Sequence, residues 1–374
     1  MAVGLVMIVH LSEQTPYLTF EQARLALSFA RQAEAGRYVP GVFNLAEEQW
    51  QMARSAWQRE TRKSVLIRDY RTAKELAEHS REMSQRAAFS ARAVKDSLRW
   101  RTAAQLAIVK QSIDEFRTQF TDLPIANKDR QRFVSGELLM MESELAFHRQ
   151  DFVVAAKKIN IAAAQVGSAN DKVTSFLQSY LTELPKWQQM VDETIAWSKA
   201  HNDPVIIVDK MGYRCQIYDD GKLKAEYPIE LGPNWLGHKR KKGDGATPEG
   251  HYRVIRKKDR GQSIYYKALE IDYPNENDRQ LFLEAQAKGE LPKDSHIGGL
   301  IEIHGEGGKG VNWTSGCVAL INKNMDQIFK LAKIGTPVTI VGALDGRLFL
   351  EKMSAGNGKT SSGGERPNQS KSHP

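Results

Sequence analysis

The chain holds 374 residues with a formal net charge of +8, 41% of them hydrophobic, and two cysteines. That length suits two or three domains with a real core and excludes wholesale disorder. Two cysteines exclude a disulfide-built scaffold and a Cys-rich zinc site. The charge is spread evenly, with 27 basic and 23 acidic side chains in residues 1–200 and 26 and 22 in residues 201–374. With no basic arm set against an acidic body, the case for a nucleic-acid partner is weak and none is expected; a mildly cationic surface equally suits an anionic wall or membrane.

In chain order, Met1–Val9 is short and apolar and lacks a basic n-region. It fits a remnant of a signal or anchor, or a first buried turn of the fold. No apolar run approaches the roughly 18–20 residues of a membrane span. Residues 1–200 contain 5 of the 28 glycines and 4 of the 13 prolines, so long helices are expected there and strands and loops beyond. Phe20, Ala23, Leu27 and Ala30 follow three-four spacing, as do Leu45, Gln49, Met52 and Ala56. The stretch from Leu66 and Tyr70 through Ala73, Ala77, Met83, Ala87, Ala91, Val94 and Leu98 sustains it. Breaks are expected at Tyr38–Gly41, Asp122–Pro124 and Leu184–Pro185. Asp69-Tyr70 before Ala73 is loosely echoed by Asp151-Phe152 before Ala155, too thin a match for a repeat. His79 and His148 are isolated and read as exposed helix residues. Trp50 and Trp57, one heptad apart, read as a core or interhelical pair.

From Pro204 the pattern turns to β-branched runs. Strands are expected at Val205–Asp209, Tyr213–Tyr218, Lys224–Leu231, His251–Arg256, Ala268–Ile271, Gly299–His304 and Pro337–Val341, with a hairpin turn at Asp219–Lys222. Helices are expected at Leu281–Ala287 and Asn324–Ala332. Ser354–Pro374 is polar and low in complexity, and reads as disordered.

One region carries chemistry. His304-Gly305 ends an apolar strand; Gly307, Gly308 and Gly310 follow; then come Trp313-Thr314-Ser315-Gly316-Cys317 and an apolar stretch. A cysteine nucleophile needs a thiolate, and an imidazole can hold the ion pair or take the proton. Glycines let backbone N–H groups approach an acyl oxygen. The competing reading is a buried structural cysteine.

These residues resemble the L,D-transpeptidase catalytic domain, the YkuD-type fold of peptidoglycan enzymes. His304-Gly305, Thr314-Ser315-Gly316-Cys317 and Asn322 match its signature. Gly243-Asp244-Gly245-Ala246-Thr247-Pro248-Glu249-Gly250 and Gly335-Thr336-Pro337-Val338 match two further elements, over about residues 204–342. Two positions depart: Ser315 stands where the common form has His, and Ala319 where it has Arg. The chain thus looks nearer the YafK-like branch, some members of which cut a peptidoglycan–lipoprotein link. The lost Arg removes a carboxylate-binding fork.

The resemblance implies a two-step acyl transfer. Cys317 attacks the third residue of a stem peptide, a diaminopimelate centre, and His304 moves the proton. Backbone N–H groups at Gly316 and Cys317 hold the oxyanion, and the Gly305 carbonyl or a neighbour orients the imidazole. Thr314 and Ser315 are candidates for setting the geometry, and Trp313, Asn322 and Lys242 for contacting substrate. No cofactor is expected, and His238, His251, His296 and His304 show no metal-ligand spacing. Cys215 reads as a core or edge residue, with both cysteines free. Lys239–Lys242 reads as a solvated loop, or as an attractor of stem-peptide carboxylates. Trp235 reads as a groove wall or a packed turn residue, and Tyr273–Asp278 as part of a lid. Gly305–Gly310 lacks the ending of a P-loop, so nucleotide binding is rejected.

The expected fold class is α+β: an all-α helical-hairpin region over 1–200, a mixed, β-rich L,D-transpeptidase-like domain over 201–345 and a polar tail over 346–374. The expected partners are peptidoglycan stem peptides, with an envelope protein as a candidate for the helical region and membrane association open. The expected place is the periplasm or cell envelope. Two alternatives stand beside transpeptidation: a peptidase or amidase, and a scaffold with a degenerate catalytic domain.

Overall fold

The computed structural model describes residues 16–121 and 123–346. The expectations for Met1–Val9, for Asp122 and for the tail from Arg347 onward lie outside them. Among the described residues seven α-helices precede the sheet: α1 (Tyr17–Gln32), α2 (Ala35–Tyr38), α3 (Pro40–Thr61), α4 (Arg71–Phe120), α5 (Asn127–His148), α6 (Phe152–Leu181) and α7 (Leu184–His201). Pro40 and Pro185 sit in the first turns of α3 and α7, where a missing N–H costs no helical bond. The breaks near residues 39, 123 and 182 are therefore where the sequence puts them. The echo of Asp69-Tyr70 by Asp151-Phe152 is a repeated helix start. Asp69 Oδ1 accepts from Arg71 N at 3.0 Å and Asp151 Oδ1 from Val154 N at 3.1 Å, and Tyr70 and Phe152 are both buried beside them.

By packing, the described residues form two compact units. One holds those up to Asp114 together with Arg132–Gly167; the other holds Glu115–Gln131 and those from Ser168 on. In the first, the buried face of α4 runs Ala73, Ala77, Ser80, Ser84, Ala87, Ala91, a strict seven-residue repeat of small side chains. They let α1 and α3 come close. Phe20, Ala23, Ala53 and Ala56 pack on Ala73 and Ala77, and Ser80 Oγ donates to Ala46 O at 2.8 Å. Trp50 and Trp57 both meet the Phe20 ring, at 5.5 and 4.4 Å between centroids, which makes them the expected core pair. His79 and His148 are exposed.

The second unit holds an eight-stranded sheet: β1 (Val205–Asp209), β2 (Arg214–Asp219), β3 (Lys222–Pro228), β4 (Gly250–Lys258), β5 (Ala268–Ile271), β6 (Glu302–His304), β7 (Val318–Ala319) and β8 (Pro337–Val341), with α8 (Glu276–Ala287) before β6 and α9 (Asn322–Leu331) before β8. The order is β3-β2-β1-β8-β4-β5-β6-β7. Strand β4 pairs with β8 through Gly250–Arg253 and with β5 from Val254 on, with a bulge between Val254 and Arg256, so the sheet turns a corner there. Its two ends also meet, since Glu230, just past β3, exchanges backbone hydrogen bonds with Ala319 of β7 at 2.9 and 2.8 Å. The expected strand Lys224–Leu231 stops at Pro228, which offers no N–H to a ladder. The expected strand from Gly299 starts only at Glu302, because Gly298 and Leu300 have positive φ. The fold is α+β, a helical region followed by a curled mixed sheet.

Candidate active site

The site is built where β6 and β7 lie side by side. Their parallel register sets Ile303 against Val318 and His304 against Ala319. Cys317 therefore stands across from Glu302, whose N–H donates to Sγ at 3.4 Å. Side chains alternate along strands, so Cys317, Ala319, Glu302 and His304 share one face. Backbone bonds fix His304 on both sides: Gly305 N donates to Lys267 O at 3.0 Å, and Leu320 N to His304 O at 2.8 Å.

The tautomer of His304 follows from its bonding. Nδ1 lies 2.6 Å from Gly305 O, and a carbonyl only accepts, so Nδ1 carries the proton. Nε2 is then the unprotonated nitrogen. It is buried and makes no hydrogen bond within the protein. Burial depresses the imidazole to about 4, with Lys309 lowering it further and the Gly305 bond opposing. Burial also pushes the Cys317 thiol up to about 11; the Glu302 N–H lowers it, the Glu302 carboxylate raises it, and Lys239 and Lys258 lower it. Both groups are thus neutral near pH 7. Of the two ways an imidazole can serve a cysteine, this geometry favours a base that takes the proton as sulfur attacks over a standing ion pair.

Two aromatic rings shape the pocket around His304. Tyr265 stacks on the imidazole at 3.7 Å and 9°, while Trp313 meets it edge-on at 5.7 Å. Trp313 Nε1 donates to Glu230 Oε2 at 2.8 Å, and the other oxygen of Glu230 accepts from Gly308 N and Gly310 N at 3.1 and 2.6 Å. One carboxylate therefore ties down the glycine-rich loop and the indole beside the histidine. Tyr265 and Glu230 went unnoticed in the sequence. The Tyr265-Tyr266 doublet before β5 is a signal for the first; Glu230 carries none, since it lies some 80 residues before the loop it holds.

The turn before Cys317 is held from behind. Gly316 has φ +118°, and a Cβ there would lie 2.4 Å from Ala246 O. Thr314 Oγ1 donates to Cys317 O at 2.7 Å and accepts from Gly316 N at 3.3 Å. Ala246 belongs to the Gly-Asp-Gly element, which is organised by Asp244. That carboxylate accepts from the backbone of Arg240, Lys241 and Ala246 and from Lys239 Nζ at 2.7 Å. Below it Lys210, fully buried, donates to Gly237 O, Thr247 O and Glu249 Oε1 at 2.6, 2.9 and 2.7 Å. Two motifs some 70 residues apart in sequence thus touch through one carbonyl.

The expected site residues divide accordingly. Cys317, His304, Gly305, Gly316, Thr314 and Trp313 come together. The Ser315 side chain is exposed. Asn322 Oδ1 accepts from Glu306 N at 2.7 Å, so it shapes the loop after Gly305. Lys242 is exposed and tied by its backbone to His296 O at 2.7 Å. The basic run is not uniformly solvated: Lys239 is only 4% exposed because Asp244 holds it, and Arg240 pairs with Glu290. Trp235 is a packed turn residue, buried against Tyr213. Cys215 is free and buried within β2, its thiol pushed up to about 12 by burial. Asn275 and Asp278, from the expected lid, form the capping box that opens α8. Among the described residues no three His, Cys, Asp or Glu side chains converge as a metal site.

Residues 203–340 match the family model of the L,D-transpeptidase catalytic domain, YkuD. The match bears out the resemblance read from the motifs. YafK of Escherichia coli (strain K12) is 35% identical over 121 residues, 32% of this chain and 39% of that protein. YqjB of Bacillus subtilis (strain 168) is 27% identical over 151 residues, 40% of this chain and 76% of that protein. Both carry L,D-transpeptidase names. The chain spans about two-fifths of the length of YafK. Among solved structures, Bd1075 of Bdellovibrio bacteriovorus is 20% identical with a TM-score of 0.29, covering 41% of this chain and 54% of that one. L,D-transpeptidase 1 of Mycobacterium tuberculosis is 14% identical with a TM-score of 0.25, covering 37% and 62%.

Proposed function

We propose that this protein is a cysteine acyltransferase of the L,D-transpeptidase kind, acting on peptidoglycan stem peptides. The observation that carries the reading is the His304 imidazole. Its Nδ1–H is locked on Gly305 O, its Nε2 makes no bond within the protein, and it shares a sheet face with Cys317. In the first step Sγ attacks the acyl carbon of the third stem residue, a diaminopimelate centre, as Nε2 takes the thiol proton. The Cys317 N–H receives the oxyanion, joined by the Gly316 N–H as it leaves its long 3.3 Å bond to Thr314 Oγ1. Collapse breaks the C–N bond, and His304 returns the proton to the departing amine of a D-amino acid. An amine of a second stem then resolves the Cys317 thioester. Thr314 holds the turn and Trp313 walls the pocket.

Peptidoglycan as substrate implies action in the periplasm or cell envelope. The helical region is proposed as an arm for an envelope protein partner. Helix α5 supports this, because Val134, Leu138, Met141 and Leu145 form an exposed apolar stripe while Phe133, Met140 and Ala146 are buried.

The test is incubation with disaccharide-tetrapeptide muropeptides and mass spectrometry of the products, with Cys317→Ala alongside. Crosslinked dimers, or exchange of the terminal D-amino acid, absent with the variant, establish the transferase. Shortened stems without dimers mean that water resolves the thioester and the enzyme is a peptidase. Turnover that survives in the variant sinks the reading.

A further inference from the structure

We propose that Lys309 is the specificity-determining cation of this site, receiving the terminal carboxylate of the amino acid that leaves in the first step; this rests on the acyl transfer proposed above. The lysine stands in Gly307-Gly308-Lys309-Gly310, and its ammonium sits over the Trp313 ring, 3.2 Å from the centroid. Trp313 in turn lies against His304, so the ammonium falls within about 9 Å of the imidazole centre. That is near enough for its charge to act on His304.

This placement is built into the loop. Gly308 and Gly310, the neighbours of Lys309, both donate their N–H to Glu230 Oε1, and Trp313 donates to Glu230 Oε2. One carboxylate fixes the root of the lysine and the ring its tip rests on. Glu230 keeps its charge while it accepts these three neutral N–H groups, and it makes no ion pair with Lys309. Lys309 is exposed and, among the described residues, pairs with no carboxylate. The two lysines that act on Cys317 are committed: Lys239 to Asp244, and Lys258 to Glu270 and Glu302. Ala319, across from His304, brings no charge.

The chemistry places an anion where this cation waits. His304 must reach the departing nitrogen to protonate it. In a leaving amino acid the carboxylate carbon stands about 2.5 Å from that nitrogen. A free terminus therefore delivers a negative charge to the His304 side of the site, and a leaving group continuing as a chain does not. Lys309 would make the site select the last residue of a stem over an internal bond.

The test compares two donors, a disaccharide-tetrapeptide with a free C-terminal carboxylate and the same compound as its C-terminal amide, in the unaltered chain, Lys309→Ala and Lys309→Arg. The unaltered chain should favour the free acid by about fivefold in kcat/KM, the size of one partly exposed ion pair. Lys309→Ala should erase that preference by raising KM for the acid alone, and Lys309→Arg should restore most of it. Equal losses on both donors, or a preference that persists in Lys309→Ala, overturn the assignment. So does a preference for the amide in the unaltered chain. If the unaltered chain turns over neither donor while iodoacetamide still labels Cys317 in a His304-dependent manner, the substrate reading fails and the assignment with it, although the dyad stands.

Discussion

Along the first half of α4, from Ala73 to Ala91, the buried positions are alanine and serine; in β1 and β8 they are valine, isoleucine and threonine, with Asp209 at the end of β1. That seam gains little area per residue, and close approach of backbones does the packing. The sheet unit buries large branched side chains and then adds a set of polar side chains that each brace more than one backbone group, where Ser80 in the helical seam braces one. Lys210, Asp244, Glu230 and Thr314 each satisfy several backbone groups at once, and each sits behind or beside the Cys317 turn. A packed helical seam tolerates exchange of one small residue for another, whereas a braced loop depends on particular polar atoms. The contrast is between a unit that presents a surface and one that holds a geometry.

The strongest way to break this contrast is at the dyad. Cys317→Ala and His304→Ala should each lower muropeptide turnover by about 10⁴-fold or more while far-UV circular dichroism stays unchanged. A loss of ordered structure instead would make the pair a packing element.

A second measurement is stability against pH. Burial holds the His304 imidazole at about 4 in the fold against 6.5 ordinarily. The unfolded chain therefore takes up the proton first as pH falls. His304 contributes full stability above about pH 6.5 and loses it between there and about pH 4, a change of about 3 kcal/mol. Urea titrations over that range should show the extra slope, and His304→Gln should remove it.

Gly316→Ala probes the brace itself. With φ at +118° and the Ala246 carbonyl 2.4 Å from the new Cβ, the turn must shift, at a cost of about 2–3 kcal/mol and with slower alkylation of Cys317 by iodoacetamide. In the other unit, Ala77→Leu overpacks the α4 seam. It should cost about 2 kcal/mol in denaturant titration and leave Cys317 alkylation at its original rate. The smallest effect belongs to the exposed stripe: Leu138→Ser with Met141→Ser should shift stability by less than about 0.5 kcal/mol each, yet abolish capture of an envelope partner. A large stability loss there would mean that the stripe is already packed.

Much of the chain was legible without coordinates because local rules governed it. The three-four spacing of Phe20 to Ala30 and Ala73 to Ala91 specifies helices, since 3.6 residues per turn leaves no other way to collect those side chains on one face. The runs Val205–Asp209 and Pro337–Val341 specify strands by β-branching. His304, Gly316 and Cys317 were found because nucleophilic chemistry confines residue types to short spacings. What only the tertiary structure decided joins positions far apart in sequence. The charge states of His304 and Cys317 come from burial, which no local pattern reports. Tyr265 reaches His304 because β5 pairs with β6, and Glu230 reaches Gly308 because the two ends of the sheet meet. Lys239, read as solvated from its basic neighbours, is buried because Asp244 folds back onto it. Sequence fixes a residue's chemistry and its near neighbours; which distant groups share its low-dielectric surroundings depends on how the sheet curls, and that sets whether the same side chain is a surface charge, a brace or a base.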